Sequence, residues 1–534
     1  MNKKLVKLLS TIVLMFPVLL GFMGTVNAAE AEKVTVNVHK RVFESGEKPK
    51  DTVNTGEEVD FGGKALAGVT FEVYDVSAKY LELVKASTPE EATATIISDA
   101  EKASYAPNYA TKMSSQTTNN EGVATFSGLD IKKNDKYATY LFVETNSPTD
   151  IKEKAAPIVI TMPLYTDANK SNVINTNIHV YPKNEREKLI DKGLDDASKK
   201  ALEVTIGNEK VYNVEVGQEF GYSISALVPW NIADKDFYRV TDTPNEGMIV
   251  LKDTITIDGL TKGTDYIIYT DASTRGYVVY FNTESEAVRK LAGKRISINY
   301  QAKLTEDVKI DTGINNKAYV EIGTITNADD KPKWPTTPEP GYPTEPEKPT
   351  TEKPEKPTDP KEPGTPENPV TGEEVFTGGK KFIKVDDKSG KTLTGAEFNL
   401  VKVDKEGNIL EYANYKDGKY TWSSGNADAK VYTSNDKGTF EIKGLEYSEK
   451  LAEGVSYAVK ETKAPEGYAL LDAPIKFNVT KGEFGTTELP ITNIKKGLLP
   501  STGGNGIYMF LVAGSVLMVG ALVWYRRTQV EAEV

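Results

Sequence analysis

The chain contains no cysteine and only two histidines, His39 and His179, in 534 residues. Without cysteine there is no disulfide to staple the fold and no thiolate to act as nucleophile or metal ligand. Two isolated histidines argue against a Ser-His-Asp triad or a His-rich metal centre, so neither a metal nor a cofactor is expected. Positive charge is also in deficit. Sixty-five Lys and Arg stand against 77 Asp and Glu, and the net charge of −12 argues against nucleic acid as a partner.

What is present begins at the two ends. Lys3, Lys4 and Lys7 precede the apolar stretch Leu8 to Phe22 and the small-residue site Val26-Asn27-Ala28. That is the pattern of a secretory signal peptide over residues 1–28, leaving a mature chain from about Ala29 to Thr502. An exported protein without disulfides must draw its robustness from another source. At the other end, residues 504–534 hold an uncharged run from Ile507 to Tyr525. At about 1.5 Å per residue this run spans roughly 28 Å, close to the hydrocarbon thickness of a bilayer. Arg526 and Arg527 mark its cytoplasmic end, and Trp524 and Tyr525 sit where aromatic anchors belong. Alone this is a single-pass anchor, but Leu499-Pro500-Ser501-Thr502-Gly503 stands immediately before it.

Between the ends the pattern is β, and the length calls for two to four domains. Val34, Val36, Val38, Lys40 and Val42 share one face of a strand and alternate with Thr35, Asn37, His39 and Arg41. Short strands continue to Asn184, giving a first domain over 29–184. They are interrupted by a helix beginning at Thr88-Pro89-Glu90-Glu91, a capping box with proline in the first turn. A second β region occupies 185–330, with a short helix expected from Thr283 to Ala292, closed by Gly293. Residues 331–371 form a linker rich in Pro, Thr, Glu and Lys. Thirteen of the 27 prolines fall in 331–370, and at about 3.1 Å per residue an extended segment of this kind reaches roughly 120 Å. A third β domain follows over 372–498.

The first and third domains repeat one another. Leu66-Ala67-Gly68-Val69-Thr70-Phe71 answers Leu393-Thr394-Gly395-Ala396-Glu397-Phe398, and Gly122 to Leu129 answers Gly438 to Leu445. Tyr140 to Pro148 answers Tyr457 to Pro465. Two copies of one β-sandwich module account for this most simply.

Strand parity then selects the residues that carry chemistry. Tyr140, Phe142 and Glu144 share a face, as do Tyr457, Val459 and Glu461. Lys40 lies on the valine face and Lys384 on that of Phe382. On the last strand of each module Asn184 and Asn493 have inward parity. A lysine, a glutamate and an asparagine buried together can be a salt bridge with a hydrogen-bonded amide. They can also be the parts of an intramolecular Lys–Asn isopeptide bond. Desolvation strips the proton from the lysine and places one on the carboxyl. The neutral amine attacks the carboxamide while the carboxyl donates to its oxygen and shuttles protons until ammonia leaves. In the middle region Lys192, Asp242 and Asn316 have the corresponding parity, with Asn316 favoured over its neighbour Asn315. A solvated turn aspartate is the other reading of Asp242.

These motifs resemble those of sortase-assembled backbone pilins of Gram-positive bacteria, across essentially the whole chain. Leu499 to Gly503, the apolar run and the arginines resemble the LPxTG sorting signal, cut between Thr502 and Gly503 by a sortase that keeps the threonyl carbonyl as a thioester. Tyr457 to Tyr468 resembles the pilin E-box, with Glu461 as its catalytic glutamate; the box around Glu144 lacks the Gly-Tyr ending. Asn177 to Asn184, ending Tyr181-Pro182-Lys183-Asn184, resembles the pilin motif, although the family's leading aromatic falls on Ile174. The resemblance implies tandem immunoglobulin-like sandwiches, Cna-B-type in the first and third domains and Cna-A-type in the middle. It implies Lys–Asn bonds joining Lys40 to Asn184, Lys192 to Asn316 and Lys384 to Asn493, with Glu144, Asp242 and Glu461 as catalysts. It also implies a class C pilus sortase that joins Thr502 of one subunit to Lys183 of the next. Other copies of the chain, minor pilins, a housekeeping sortase and peptidoglycan complete the expected partners; the membrane is one only before sorting. The expected location is the cell wall and a surface pilus serving adhesion and colonisation. A monomeric wall-anchored adhesin built from the same sandwiches is the alternative, and a secreted hydrolase finds no catalytic constellation to support it.

Overall fold

Alternating burial places the first strand. In Lys33–His39 the side chains of Val34, Val36 and Val38 are buried while Thr35 and Asn37 take the other face. The computed structural model describes residues 32–49, 54–103, 106–166, 173–269, 275–324, 368–486, 488–497 and 506–530. The signal peptide, the LPSTG segment and most of the linker lie outside the described residues.

The strand Lys33–His39 runs antiparallel to Val123–Asp130 and parallel to Asn177–Val180. Across the sandwich stands a second sheet in the order Ile158–Thr161, Thr139–Asn146, Thr70–Asp75, Thr111–Thr117. Between them lie Val36, Phe71, Phe126, Tyr140, Phe142 and Ile178. The helix expected from its capping box forms over Pro89–Lys102, with Thr88 and Glu91 satisfying each other's backbone amides. A further helix, Ser77–Leu83, precedes it. Ile96 and Ile97 cover Leu141, Val143 and Val159 on the outer side of the second sheet. This is why the strand Thr139–Asn146 is buried on both faces along most of its length.

The third domain repeats this connectivity. Gly378–Asp386 lies between antiparallel Thr439–Leu445 and parallel Leu489–Asn493, and Glu397–Val403 pairs with Ser456–Lys463 as Thr70–Asp75 pairs with Thr139–Asn146. Even the backbone of the critical lysine is held alike. Lys40 N–H donates to the Gly122 carbonyl at 2.6 Å and Lys384 N–H to that of Gly438 at 2.7 Å. Both glycines have positive φ, and a Cβ on either would sit under 3 Å from the lysine carbonyl oxygen, so the close approach requires glycine.

The middle domain packs two sheets of its own. One is Ile190–Leu194, Glu219–Leu227, Arg295–Leu304, Met248–Ile257; the other is Tyr266–Tyr269, Tyr277–Phe281, Phe237–Pro244, Asn316–Gly323, Val370–Thr371. The expected helix from Thr283 is a single turn, Glu286–Arg289, capped by the Ser285 hydroxyl. Another short helix, Asp196–Leu202, is capped by Asp195.

The chain divides into two compact units whose boundary departs from sequence order. One holds the first domain, Glu219–Asp307 and Gly313–Val375; the other holds Val204–Gln218, Val308–Thr312 and the chain from Phe376. Val370–Thr371, expected in the linker, therefore joins the middle sheet, and residues 372–375, expected in the third domain, fall in the same unit. The hairpin containing Val204 and Val211 contributes to the third domain's core. Within this second unit Asn213 is fully buried. Its carboxamide accepts from Tyr447 N–H at 2.6 Å and donates to the Phe376 carbonyl at 3.1 Å.

After the third domain comes the helix Gly506–Val530, with Leu511, Val516, Leu517, Val519 and Leu522 exposed. Among the described residues no helix is long and apolar enough to cross a membrane. The expected span from Ile507 has described side chains only between residues 511 and 525.

Because Asn213→Ala strands a buried N–H and a buried carbonyl, it should destabilise the third domain by about 1–3 kcal/mol. The measurement is denaturant unfolding followed by Trp422 fluorescence, and a wild-type transition would contradict the hairpin's structural role.

Candidate site: three buried lysine, carboxylate and asparagine clusters

In the first domain the inward faces of three strands meet. Lys40, Glu144 and Asn184 are at most 1% exposed. Lys40 Nζ donates to Glu144 Oε2 at 2.5 Å and to Asn184 Oδ1 at 2.6 Å, and Asn184 Nδ2 donates to Glu144 Oε1 at 2.8 Å. The carboxylate also accepts from Ala155 N–H at 2.9 Å and from the Ser147 hydroxyl. Burial holds the Lys40 amine below its usual pKa, against the opposing pull of Glu144.

The third domain repeats the arrangement. Lys384 Nζ hydrogen-bonds Asn493 Oδ1, with the Ile491 carbonyl at 3.1 Å and Glu461 Oε1 at 3.5 Å. Asn493 Nδ2 donates to Glu461 at 2.9 and 3.1 Å and to the Ala469 carbonyl at 2.8 Å. Leu471 N–H donates to Glu461 Oε2, as Ala155 N–H does to Glu144. Desolvation pushes the Lys384 amine down to about 8. The register explains the recurrence. Lys384 stands opposite Ile491 on a parallel neighbour and Asn493 opposite Asp386, so lysine and asparagine are offset by two positions and share a face. Asn184 lies opposite Val42, two positions from Lys40, with the same offset.

The middle cluster is built differently. Lys192 belongs to one sheet and Asp242 and Asn316 to the other, so the group bridges the sandwich interior. Lys192 Nζ contacts Asp242 Oδ2, and desolvation lowers this amine also to about 8. Asn316 is fully buried, whereas Asn315 is only half-buried. Gly372 closes over the site: its N–H donates to the Asn316 carbonyl at 2.9 Å, and a Cβ there would lie 2.9 Å from the Tyr222 ring and 3.4 Å from Lys192 Cγ.

Lys183 sits on Lys183–Glu185 with its side chain opposite in parity to buried Asn184. It is half-buried, with Nζ donating to the Pro49 carbonyl at 3.0 Å and lying 5.5 Å from the centre of the Phe61 ring. Phe61 stacks on Tyr181, and Tyr181 on His39. Ile174 packs against the first domain's core. Thr502, with Leu499, Pro500, Ser501 and Gly503, lies outside the described residues. Sequence reasoning missed Ser147, the two amide donors to the glutamates, and Gly372. Only Gly372 carries a visible signal, as a glycine next to the proline-rich segment.

In the first and third domains a lysine amine whose pKa burial lowers touches a carboxamide oxygen beside a carboxylate, so nucleophile, electrophile and proton carrier lie within hydrogen-bond reach, as amide exchange requires.

Residues 31–185 match the family described as Gram-positive pilin subunit D1, N-terminal domain; residues 378–495 match the prealbumin-like fold domain; residues 491–532 match the LPXTG cell wall anchor motif. The chain thus contains a Gram-positive pilin N-terminal domain, a prealbumin-like domain and an LPXTG wall-anchor motif. It is 27% identical to the fimbrial subunit type 2 of Actinomyces naeslundii, covering 93% of this chain and 90% of that one. Over 76% of this chain and 75% of the other it is 27% identical to the fimbrial subunit type 1 of Actinomyces viscosus. Among solved structures, the full-length RrgB pilus protein of Streptococcus pneumoniae is similar at 19% identity with a TM-score of 0.49, covering 88% of this chain and 99% of that one.

An Asn493→Ala chain keeps Lys384 as a free amine and exposes its linkage to pH. The folded pKa of about 8 lies below the ordinary 10.5, so the unfolded chain binds more protons between these values and stability rises with pH across that window. Denaturation midpoints at pH 7.5, 9 and 10.5 (chosen to span it, at about one to two units apart) should increase for this variant. A flat or falling series would contradict a desolvated lysine.

Proposed function

We infer that the chain is the structural backbone subunit of a covalently polymerised pilus on a Gram-positive cell surface. A pilin N-terminal domain, an LPXTG anchor and a fimbrial relative spanning nearly the full length support this reading, as does its cell-wall location. A class C sortase cleaves between Thr502 and Gly503 and holds the threonyl carbonyl as a thioester. Lys183 of the next subunit takes that carbonyl, which makes a head-to-tail polymer. A heterologous contact that does not close yields a fibre. The observation that carries the assignment of Lys183 is the alternation in Lys183–Glu185, which buries Asn184 and turns the lysine away from the core. The apolar segment after Gly503 holds the precursor in the membrane until sorting, and a housekeeping sortase transfers the finished polymer, with its minor pilins, to peptidoglycan.

Within each subunit, Lys40–Asn184, Lys192–Asn316 and Lys384–Asn493 form isopeptide bonds with Glu144, Asp242 and Glu461 as proton carriers. Each bond expels one ammonia. The subunit reacts once with itself and is otherwise a substrate rather than an enzyme. What supports the bonds is the burial and mutual contact of all three lysine–carboxylate pairs, where a permanently ionised pair would carry a heavy desolvation cost.

Co-expressed with its sortase, the wild-type chain should give ladders that survive boiling in detergent, and Lys183→Arg should give monomer alone, because a guanidinium stays protonated. Wild-type ladders from that variant would sink the acceptor assignment. Monomer alone from the unaltered chain would favour the wall-anchored adhesin.

Glu461→Ala should leave Lys384 and Asn493 unjoined, making the third domain one ammonia heavier. Its thermal stability should fall by about 4–5 kcal/mol, the chain-entropy figure for a cross-link closing a loop of this order, with a further loss from the unpaired buried amine. An intact mass equal to wild type would remove Glu461 from the reaction.

A further inference from the structure

We propose that Tyr300 is a catalytic residue of the middle domain, relaying the proton between Asp242 and the carboxamide of Asn316. The proposal rests on the isopeptide reading of that cluster. Its starting point is a difference between the three sites. In the first and third domains the glutamate touches its asparagine directly, through Asn184 Nδ2 at 2.8 Å and Asn493 Nδ2 at 2.9 Å. Aspartate is one methylene shorter, and no hydrogen bond joins Asp242 to Asn316. Tyr300 fills the gap. Its hydroxyl donates to Asp242 Oδ2 at 2.6 Å and accepts from Asn316 Nδ2 at 3.0 Å.

The placement follows from the sandwich. Tyr300 lies on Arg295–Leu304, in the sheet that carries Lys192, and projects toward the sheet that carries Asp242 and Asn316. It is 2% exposed, and its ring packs edge-on against Tyr277 and near-parallel to Tyr222. Lys192 Nζ lies 5.4 Å from the ring centre. A buried tyrosine hydroxyl in this position holds its own proton tightly, because desolvation and Asp242 both oppose the phenolate. It therefore serves as a bridge that accepts one proton as it gives up another, rather than as a base.

The bookkeeping of atoms is complete without an external reagent. Lys192 Nζ attacks Asn316 Cγ and forms the C–N bond. The proton shed by Nζ passes to Asp242 Oδ2, which it contacts. Asp242 returns a proton to Tyr300 Oη as the Tyr300 hydroxyl proton moves to Asn316 Nδ2. The Cγ–Nδ2 bond breaks, ammonia leaves, and both Asp242 and Tyr300 end as they began.

The test is a time course of the full ectodomain made by cell-free synthesis, quenched in acid and mapped by mass for each cross-linked peptide. The Lys40–Asn184 and Lys384–Asn493 peptides serve as internal controls of folding. Tyr300→Phe should slow the Lys192–Asn316 peptide at least tenfold and leave the other two unchanged; its appearance at the wild-type rate overturns the proposal. If the wild-type chain itself never yields this peptide, the isopeptide reading of the middle domain fails, and the relay with it. Should Tyr300→Phe disturb the fold, 3-fluorotyrosine at position 300 keeps the shape and lowers the hydroxyl pKa. A changed rate of bond formation then supports the relay, and an unchanged rate overturns it.

Discussion

A lysine amine kept out of water is the constraint on which the rest of this structure depends. Lys40, Lys192 and Lys384 each project into a closed sandwich, and desolvation lowers all three amines. A charged ammonium there would cost several kcal/mol even beside a carboxylate. The surrounding architecture answers this demand. The lysine backbone is clamped against Gly122 or Gly438, the glutamates are held by Ala155 and Leu471 amides, and Gly372 covers the middle site. Such a cluster is an expensive way to fill a core, and it makes sense where the amine is to be used.

The same constraint resolves the problem posed by the missing cysteines. An exported chain of sandwiches needs something to resist unfolding outside the cell. The proposed bonds join positions 144 residues apart in the first domain and 109 apart in the third, between the opening and closing strands of each module. A bond at that place closes nearly the whole domain into one loop, which is where a cross-link limits the unfolded chain most. It is also insensitive to reductants, unlike a disulfide.

Much of this was legible in the sequence. Strand parity alone turned Lys40, Glu144, Asn184, Lys384, Glu461 and Asn493 inward, and the internal repeat foretold the shared topology, because alternation and repetition are local signals. What was hidden came from pairing across the sandwich. Tyr300 reads as one more alternating core residue, and its contact with Asp242 and Asn316 arises only when two sheets face each other. The hairpin of Val204 to Gln218 reads as part of the middle domain. Its apolar residues say that it is covered, not by what, and the structure places it in the third domain's core. The strand Val370–Thr371 reads as the end of the linker for a similar reason: two residues carry no period. A helix as short as Asp196–Leu202 likewise depends on its cap and packing more than on pattern.

The central claim is that these amines have reacted. Intact mass of the folded, purified ectodomain tests it most directly, since the sequence gives the mass of the unjoined chain. The account predicts a deficit of three ammonia molecules, one for each of Lys40–Asn184, Lys192–Asn316 and Lys384–Asn493. A mass equal to that of the unmodified chain would contradict it and leave the three clusters as buried salt bridges.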